Sequence, residues 1–433
     1  MVEFWEPNVE KLPQKELLEL QERRLRYIVR YAYEHSRFYR ERFDKAGIEP
    51  EDIKKLDDVV KLPFTRKSDL RDTYPYGLLC VPLNRIIRFH ASSGTTGKPT
   101  VVAYTQSDIA EWTASMARAL TSIGLGRGDI VQISYGYGLF TGGLGLHYGV
   151  EAIGASALPT SVGNTERQVE LLVDLGTTAI ACTPSYFLHI NEVAERMGVK
   201  INKTKLKAGV FGAEPWSEET RRRIENTTGI KAYDIFGTSE LSGPLFTECQ
   251  YQNGIHIWGD QFLIEVIDPE TGEQLSCGER GELVATTLVK EAMPLIRFRI
   301  GDITKLNTEK CNCGRTHPRI MRILGRADNM IVVRGINVFP SQVEAVLMQI
   351  PEVGEHFQII VERKGALDEM MVQVEVTPQA FSDKVEDILK LKQKVEHRLK
   401  NVLNLDTKVE LVEYGTLPRS MGKAQRVIDR RKI

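Results

Sequence analysis

The 433-residue chain contains no apolar run approaching the roughly 18 residues that a membrane-crossing helix needs. Its opening stretch, MVEFWEPNVEKLPQKE, is acidic and polar, without the apolar centre of a secretory signal. These two absences lead us to expect a cytoplasmic protein with no membrane partner, in which the sequons at Asn202 and Asn226 are accidental. An excess of one charge sign is missing too. Lys+Arg number 57 and Asp+Glu 58, a formal charge of -1 that gives no support for a nucleic-acid partner. Cysteine is scarce: six in a chain of this length exclude a disulfide scaffold and fit reduced thiols. Internal repeats and low-complexity tracts are also lacking.

What is present is enough apolar residue, 42% of the chain, to bury more than one core, and the length fits two to three domains. Gln14 to Glu34 reads as an amphipathic helix with Leu18, Leu25, Val29 and Ala32 on its buried face. As far as about residue 240, strand-like runs (Ile86–Phe89, Ile130–Ile133, Ala179–Cys182, Gly209–Phe211) alternate with helices. Among these are Glu166–Leu175 and Ser217–Thr227, the second capped by Ser217. This alternation predicts an α/β sheet region. "FLIEVIDPETGEQL" followed by "GERGELVATTL" is strand, turn, strand, and predicts an antiparallel sub-domain. From about Arg326 onward, "MIVVRG", "FQIIVE", "MMVQVEVT", a charged helix from Phe381 to Leu403 and "KVELVEY" predict a separate small α+β domain. Val372, Val374 and Val376 alternate there at period two.

The stretch with the most chemistry is Ser92-Ser93-Gly94-Thr95-Thr96-Gly97-Lys98-Pro99-Thr100. A glycine-rich turn presents successive N–H groups as a concavity for anions, and Ser and Thr hydroxyls add donors. It is not a Walker A loop, because Ser92 stands where the first glycine is required and Pro99 where the magnesium-binding hydroxyl should be.

This loop resembles the phosphate loop of the adenylate-forming enzymes, the superfamily of acyl-CoA synthetases, luciferases and adenylation domains. Four more stretches resemble that family's motifs in the expected order: Gly212-Ala213-Glu214-Pro215 with Tyr233–Glu240, Arg299–Asp302, Gly325–Asp328, and Pro418–Lys423. Within the superfamily, "HASSGTTGKPTVV", "CNCGRTHPRI", "RGINVFPSQVE" and "LPRSMGKAQRVIDRR" are similar to phenylacetate–coenzyme A ligases.

The resemblance implies an α/β adenylate-forming fold: an N-terminal adenylation domain, residues 1–325, and a mobile α+β C-terminal domain, residues 326–433. It implies a reaction of a carboxylic acid, ATP and coenzyme A through an acyl-adenylate, with an aryl or arylacetic acid as substrate. Ser92 to Lys98 would hold the departing phosphates, Glu240 would carry Mg2+, and Lys423 would bridge the attacking carboxylate and the α-phosphate. Asp302 would accept the ribose hydroxyls. Ala213, Glu214, Pro215, Tyr233, Asp234, Phe236, Gly237, Thr238 and Arg326 complete the expected nucleotide site, and Asp328 would be the hinge between half-reactions. Tyr135, Tyr137, Phe140 and Gly212 are the expected acyl pocket, in or near the glycine-rich "SYGYGLFTGGLGL" segment. Taken singly, Asp302 could be a turn residue, Glu240 a helix cap and Lys423 a surface charge. Two other readings stay open: transfer to another thiol acceptor such as a carrier protein, and a nucleotide-binding regulator without chemistry. The totals also leave room for a homodimer.

Cys311-Asn312-Cys313 resembles half of a zinc site, although C-x-C is closer than the usual ligand spacing, and Cys249 with His256 could supply the rest. His317 competes for the fourth place, and ordinary thiols are the alternative. A structural zinc site in this region also occurs in some members of the branch that the chain resembles. Cys80, Cys182 and Cys277 read as small hydrophobes.

Overall fold

A computed structural model describes residues 3–92, 99–327, 330–334, 336–364, 367–380, 385–420 and 424–431. The chain divides into two compact units: Met1–Ser161 with Thr177–Ala181 and Tyr233–Arg322, and Val162–Gly176 with Cys182–Ala232 and Ile323–Ile433.

In the first unit, the helix Gln14–His35 buries Leu17, Gln21, Leu25, Ile28, Val29 and Ala32. Leu18, expected on that face, is 42% exposed. The stripe starts at Leu17 because steps of four and then three or four residues from it reach Gln21, Leu25 and Ile28, whereas Leu18 turns away. This face packs on Tyr39, Phe43, Leu62 and Ile296.

An antiparallel hairpin follows, Arg88–Ala91 against Val101–Tyr104, with Arg88 opposite Tyr104 and Ala91 opposite Val101. The strand begins two residues later than expected, because a 3-10 turn at Leu83–Arg85 precedes it. The glycine-rich loop is therefore the connection of this hairpin. The helix Gln106–Ser122 starts with a capping box, in which Asp108 N–H donates to the Thr105 hydroxyl and Thr105 N–H to Asp108.

The strand Ile130–Ile133 pairs in parallel with Ser156–Leu158 on one side and Ala179–Cys182 on the other, the arrangement predicted for the α/β region. The antiparallel sub-domain is also as predicted. Phe262–Ile267 pairs with Arg280–Thr287, which pairs with Phe298–Asn307. The series continues through Arg319–Ile320, Ile255–His256 and Gly243–Thr247 to Lys231–Thr238.

The second unit contains the helices Thr165–Asp174, Pro184–Arg196 and Glu218–Thr228. Ser217 caps the last as predicted, its hydroxyl accepting from Thr220 N–H at 3.1 Å. Its C-terminal part is an α+β layer. Val353–Lys364 and Leu367–Val376 pair antiparallel at the centre, flanked in parallel by Val427–Asp429 and Lys408–Val412. The buried members of the alternating valines, Val372, Val374 and Val376, meet Val395 and Leu399 of the helix Val385–Leu403 in one core. Among the described residues, no helix is long and apolar enough to cross a membrane.

Candidate active site

Hydrogen bonds join the two ends of the glycine-rich loop, Ser92 and Thr100. Ser92 N–H donates to Thr100 O (3.0 Å), Thr100 N–H donates to Ser92 Oγ (3.0 Å), and the two hydroxyl oxygens lie 2.8 Å apart. The Thr100 hydroxyl also lies 3.2 Å from Glu240 Oε1. Glu240 sits in the 3-10 turn Ser239–Leu241 that closes the strand Lys231–Thr238, so the strand end delivers its carboxylate to the base of the loop. Ser92 and Glu240, expected at the phosphates and the metal, are thus joined through the Thr100 hydroxyl. Ser93, Gly94, Thr95, Thr96, Gly97 and Lys98 lie outside the described residues, as do the hinge Asp328 and Lys423.

Two cations meet Glu240 that sequence reasoning missed. Lys67 Nζ is 3.0 Å from Glu240 Oε1, and the buried Lys290 ammonium donates to the Glu240 main-chain carbonyl at 2.9 Å. Burial alone would raise the Glu240 pKa, but the Lys67 ammonium and the Thr100 hydroxyl hold it below the usual carboxylate range. Burial brings Lys290 down to about 8, against the pull of Asp108 and Glu240. Its ammonium lies over the Tyr104 ring, 4.9 Å from the centroid. No local motif marks either lysine. The pairing joins residues far apart in sequence, and only Thr100, next to the loop, carried a signal.

Of the remaining expected nucleotide residues, Tyr233, Asp234 and Phe236 are buried along the same strand, and Thr238 is at its end. Phe236 stacks on Phe246 with ring centroids 6.4 Å apart. Asp234 takes an ion pair from Arg322 at 3.5 Å. Gly237 is required by close approach, since a Cβ there would stand 1.7 Å from the Gly243 carbonyl oxygen. Asp302 is buried on the strand Phe298–Asn307.

Of the expected acyl pocket, Tyr135 is buried, the Tyr137 hydroxyl lies 3.3 Å from His147 Nδ1, and Phe140 is 38% exposed. Burial raises the Tyr137 pKa. Nearby, His90 is buried edge-on to Tyr104 and Trp112, and its Nδ1 lies 3.0 Å from Leu139 O. Desolvation lowers its pKa and keeps it neutral.

In the second unit, Gly212 ends the strand Ala208–Gly212, and Ala213 follows with φ +68. That left-handed conformation is uncommon for a residue with a side chain. Pro215 is exposed, and Arg326 is half-buried on the short strand Gly325–Arg326. The Glu214 carboxylate accepts main-chain N–H groups of Ser185 (2.9 Å) and Ala424 (2.8 Å).

Back in the first unit, Cys249, His256, Cys311 and Cys313 are all buried, with their ligand atoms within 4.8 Å of one another. Cys249 Sγ and Cys311 Sγ are 3.7 Å apart, and Cys313 Sγ is 3.5 Å from His256 Nε2. His317 is not part of the group: its Nδ1 accepts from Gly259 N–H (3.1 Å) and its Nε2 meets Val9 O (2.9 Å). Burial lowers it to about 4 and keeps it neutral. Cys80 and Cys182 are buried as expected. Cys277 is exposed instead, since it lies in the turn before Arg280–Thr287, where its thiol donates to Leu306 O.

Comparison with known proteins agrees with this geometry. Residues 80–287 match the model of the AMP-binding enzyme family, and residues 335–431 match that of the AMP-binding enzyme C-terminal domain. The chain is 46% identical to a phenylacetate-coenzyme A ligase of Thermus thermophilus, covering 99% of this chain and 100% of that protein. It is 45% identical to that of Escherichia coli K12, covering 96% of each. Among solved structures, a 2-hydroxyisobutyryl-CoA ligase in the postadenylation state, bound to R3-HIB-AMP, superimposes with a TM-score of 0.94 at 32% identity, over 98% of this chain and 92% of that one. The chain belongs to the AMP-binding, adenylate-forming enzymes, and among them to the phenylacetate-coenzyme A ligase family.

Proposed function

We propose that this protein is a cytoplasmic arylacetate–CoA ligase that uses ATP to join an arylacetic acid to coenzyme A, releasing AMP and diphosphate. The observation that carries this reading is the convergence of Ser92, Thr100 and Glu240 at the base of a glycine-rich hairpin loop, in a chain that aligns with phenylacetate ligases nearly end to end.

A carboxylate is a poor acyl donor because its oxygen is a poor leaving group. Attack of the substrate carboxylate on the α-phosphate expels diphosphate, and the thiol of coenzyme A then displaces AMP. The hydroxyls and N–H groups of residues 92–98 hold the departing phosphates. Lys423 stabilises the charge that builds between carboxylate and α-phosphate. Asp302 binds the ribose hydroxyls, Tyr233 and Phe236 flank the adenine, and Arg326 meets the nucleotide from the hinge. Tyr135, Tyr137, Phe140 and Gly212 shape the pocket for the aromatic acid. Residues 326–433 turn about Asp328 between the two half-reactions. A Mg2+ ion, when bound, neutralises phosphate charge. Glu240 suits it because its carboxylate is held ionised, with a lysine in place of a divalent cation.

Cys249, His256, Cys311 and Cys313 would hold a structural zinc ion. Four ligands about 2.0–2.3 Å from a tetrahedral centre stand roughly 3.3–3.8 Å apart. The S–S and S–N separations of 3.7 and 3.5 Å fall in that range.

The test is diphosphate release from ATP and Mg2+ with phenylacetate, hydroxyphenylacetate, indoleacetate, benzoate and a fatty acid, each with and without coenzyme A. Turnover that requires coenzyme A and favours an arylacetate is expected. Release indifferent to coenzyme A would point to another thiol acceptor, and silence with every acid would sink the enzymatic reading.

A further inference from the structure

Glu214 lies in a motif assigned to the nucleotide, yet its carboxylate is used elsewhere. Its Oε1 accepts Ser185 N–H at the start of the helix Pro184–Arg196, and its Oε2 accepts Ala424 N–H, the residue directly after Lys423. Both bonds tie side chain to main chain, and the Ser185 hydroxyl adds a side-chain hydrogen bond to the same carboxylate.

The other end of the same loop is gripped as firmly. Leu417 N–H donates to Glu375 Oε1 (2.8 Å), and Arg419 makes a two-pronged pair with the same carboxylate (2.7 and 2.9 Å). Arg419 Nε also donates to Glu192 (3.1 Å), whose other oxygen meets His356 Nε2 at 3.0 Å. Glu192 lies on the helix whose first turn carries Ser185. One helix thus supports both flanks of residues 418–424: its first turn through Glu214, its middle through Glu192.

We propose that Glu214 is a positioning residue for adenylation: it pins Ala424 N–H and so sets the approach of Lys423 to the reacting phosphate. This inference rests on the assignment of Lys423 to the first half-reaction. If residues 326–433 turn before thioester formation, the Glu214–Ala424 bond is one that must break, and it holds the first conformation without contributing to the second.

The distinctive feature is that each oxygen of Glu214 accepts a main-chain N–H. Glu214→Gln keeps the shape but has one oxygen and one NH2, so it must set a donor against either Ser185 N–H or Ala424 N–H. Desolvation raises the Glu214 pKa, and the Arg426 guanidinium opposes the rise.

The experiment separates the half-reactions in the full chain. ATP–diphosphate exchange with phenylacetate reads adenylation, and thioester formation from supplied phenylacetyl-adenylate and coenzyme A reads the second step. For Glu214→Gln we expect exchange to fall by about 10–100-fold, as for a displacement of about 1 Å, while thioester formation changes less than about threefold. Hydrogen exchange of a peptide spanning 417–426 should quicken in the variant, a readout that needs no activity. Equal loss in both half-reactions would mark Glu214 as merely structural and overturn the proposal, as would exchange within about twofold of wild type. Lys423→Ala measured in parallel separates the two assumptions. If it leaves exchange intact, the lysine assignment falls and this proposal with it; if it abolishes exchange while Glu214→Gln does not, only the role of Glu214 falls.

Discussion

Two buried polar clusters occupy the first unit, and they are built on opposite plans. Around Glu240 the negative charge already has its cations: Lys67 on the carboxylate and Lys290 on the main chain behind it. Around Cys249, Cys311, Cys313 and His256 the contacts run thiol to thiol and thiol to imidazole. The Cys249 hydrogen bonds hold Cys311 and Cys313 below the usual thiol range, and Cys249 is raised in return. His256 is kept neutral by burial, and its Nδ1 has no hydrogen-bond partner among the described residues. If Glu240 carries Mg2+ as proposed, the first cluster keeps its charge paired when the ion is away. The second, if it holds zinc as proposed, gains a cation that the thiols and imidazole do not themselves supply.

Four experiments put that contrast at risk. The largest effect should come from the thiols. Metal analysis of untagged protein should find about one zinc per chain, and Cys311→Ser or prolonged chelation should lower the melting temperature by roughly ten degrees. Metal below about a tenth of an equivalent would retire the site. Next, Glu240→Gln should lower the Mg2+-dependent exchange rate by about 10²–10³-fold while the zinc content stays unchanged. A joint loss would show that the clusters are not independent. Third, Lys67→Met should destabilise the nucleotide-free protein by about 1–3 kcal/mol, since it leaves a buried carboxylate without its cation. Mg-ATP should restore part of that difference in a thermal melt; no restoration would argue against exchange of lysine for magnesium. The smallest effect concerns pH. With its pKa lowered to about 8, Lys290 holds fewer protons folded than unfolded from there up to the ordinary lysine value. Its contribution to stability therefore rises with pH through that window. Wild type should gain on Lys290→Met between pH 8 and 10.5, by about a few degrees, and parallel melting curves would refute it.

What could be read from the sequence followed from range. The Ser217 cap, the 262–287 strand pair and the alternating valines depend on neighbours a few residues away or on one strand's period, so their patterns are local and were legible. Leu17 in place of Leu18 is an error of helix phase, because two adjacent leucines satisfy a loose periodicity equally well and only the partner face chooses. Lys67 and Lys290 were invisible, because a lysine that crosses the fold to one carboxylate looks in sequence like any surface lysine. The motif containing Glu214 was legible, but the destination of its carboxylate was not. Short motifs record that a segment is needed, whereas the third dimension decides which atom of it is used.

The Ser92–Thr100 clasp bears on how a phosphate would be captured. Ser92 and Thr100 are fastened to each other by hydrogen bonds, with seven residues between them in the chain. Closure entropy grows with the logarithm of length, by about 0.6 kcal/mol per doubling. If the segment holds phosphate as proposed, lengthening it would weaken nucleotide affinity even if every donor were kept, and unfastening Thr100 would act like lengthening it.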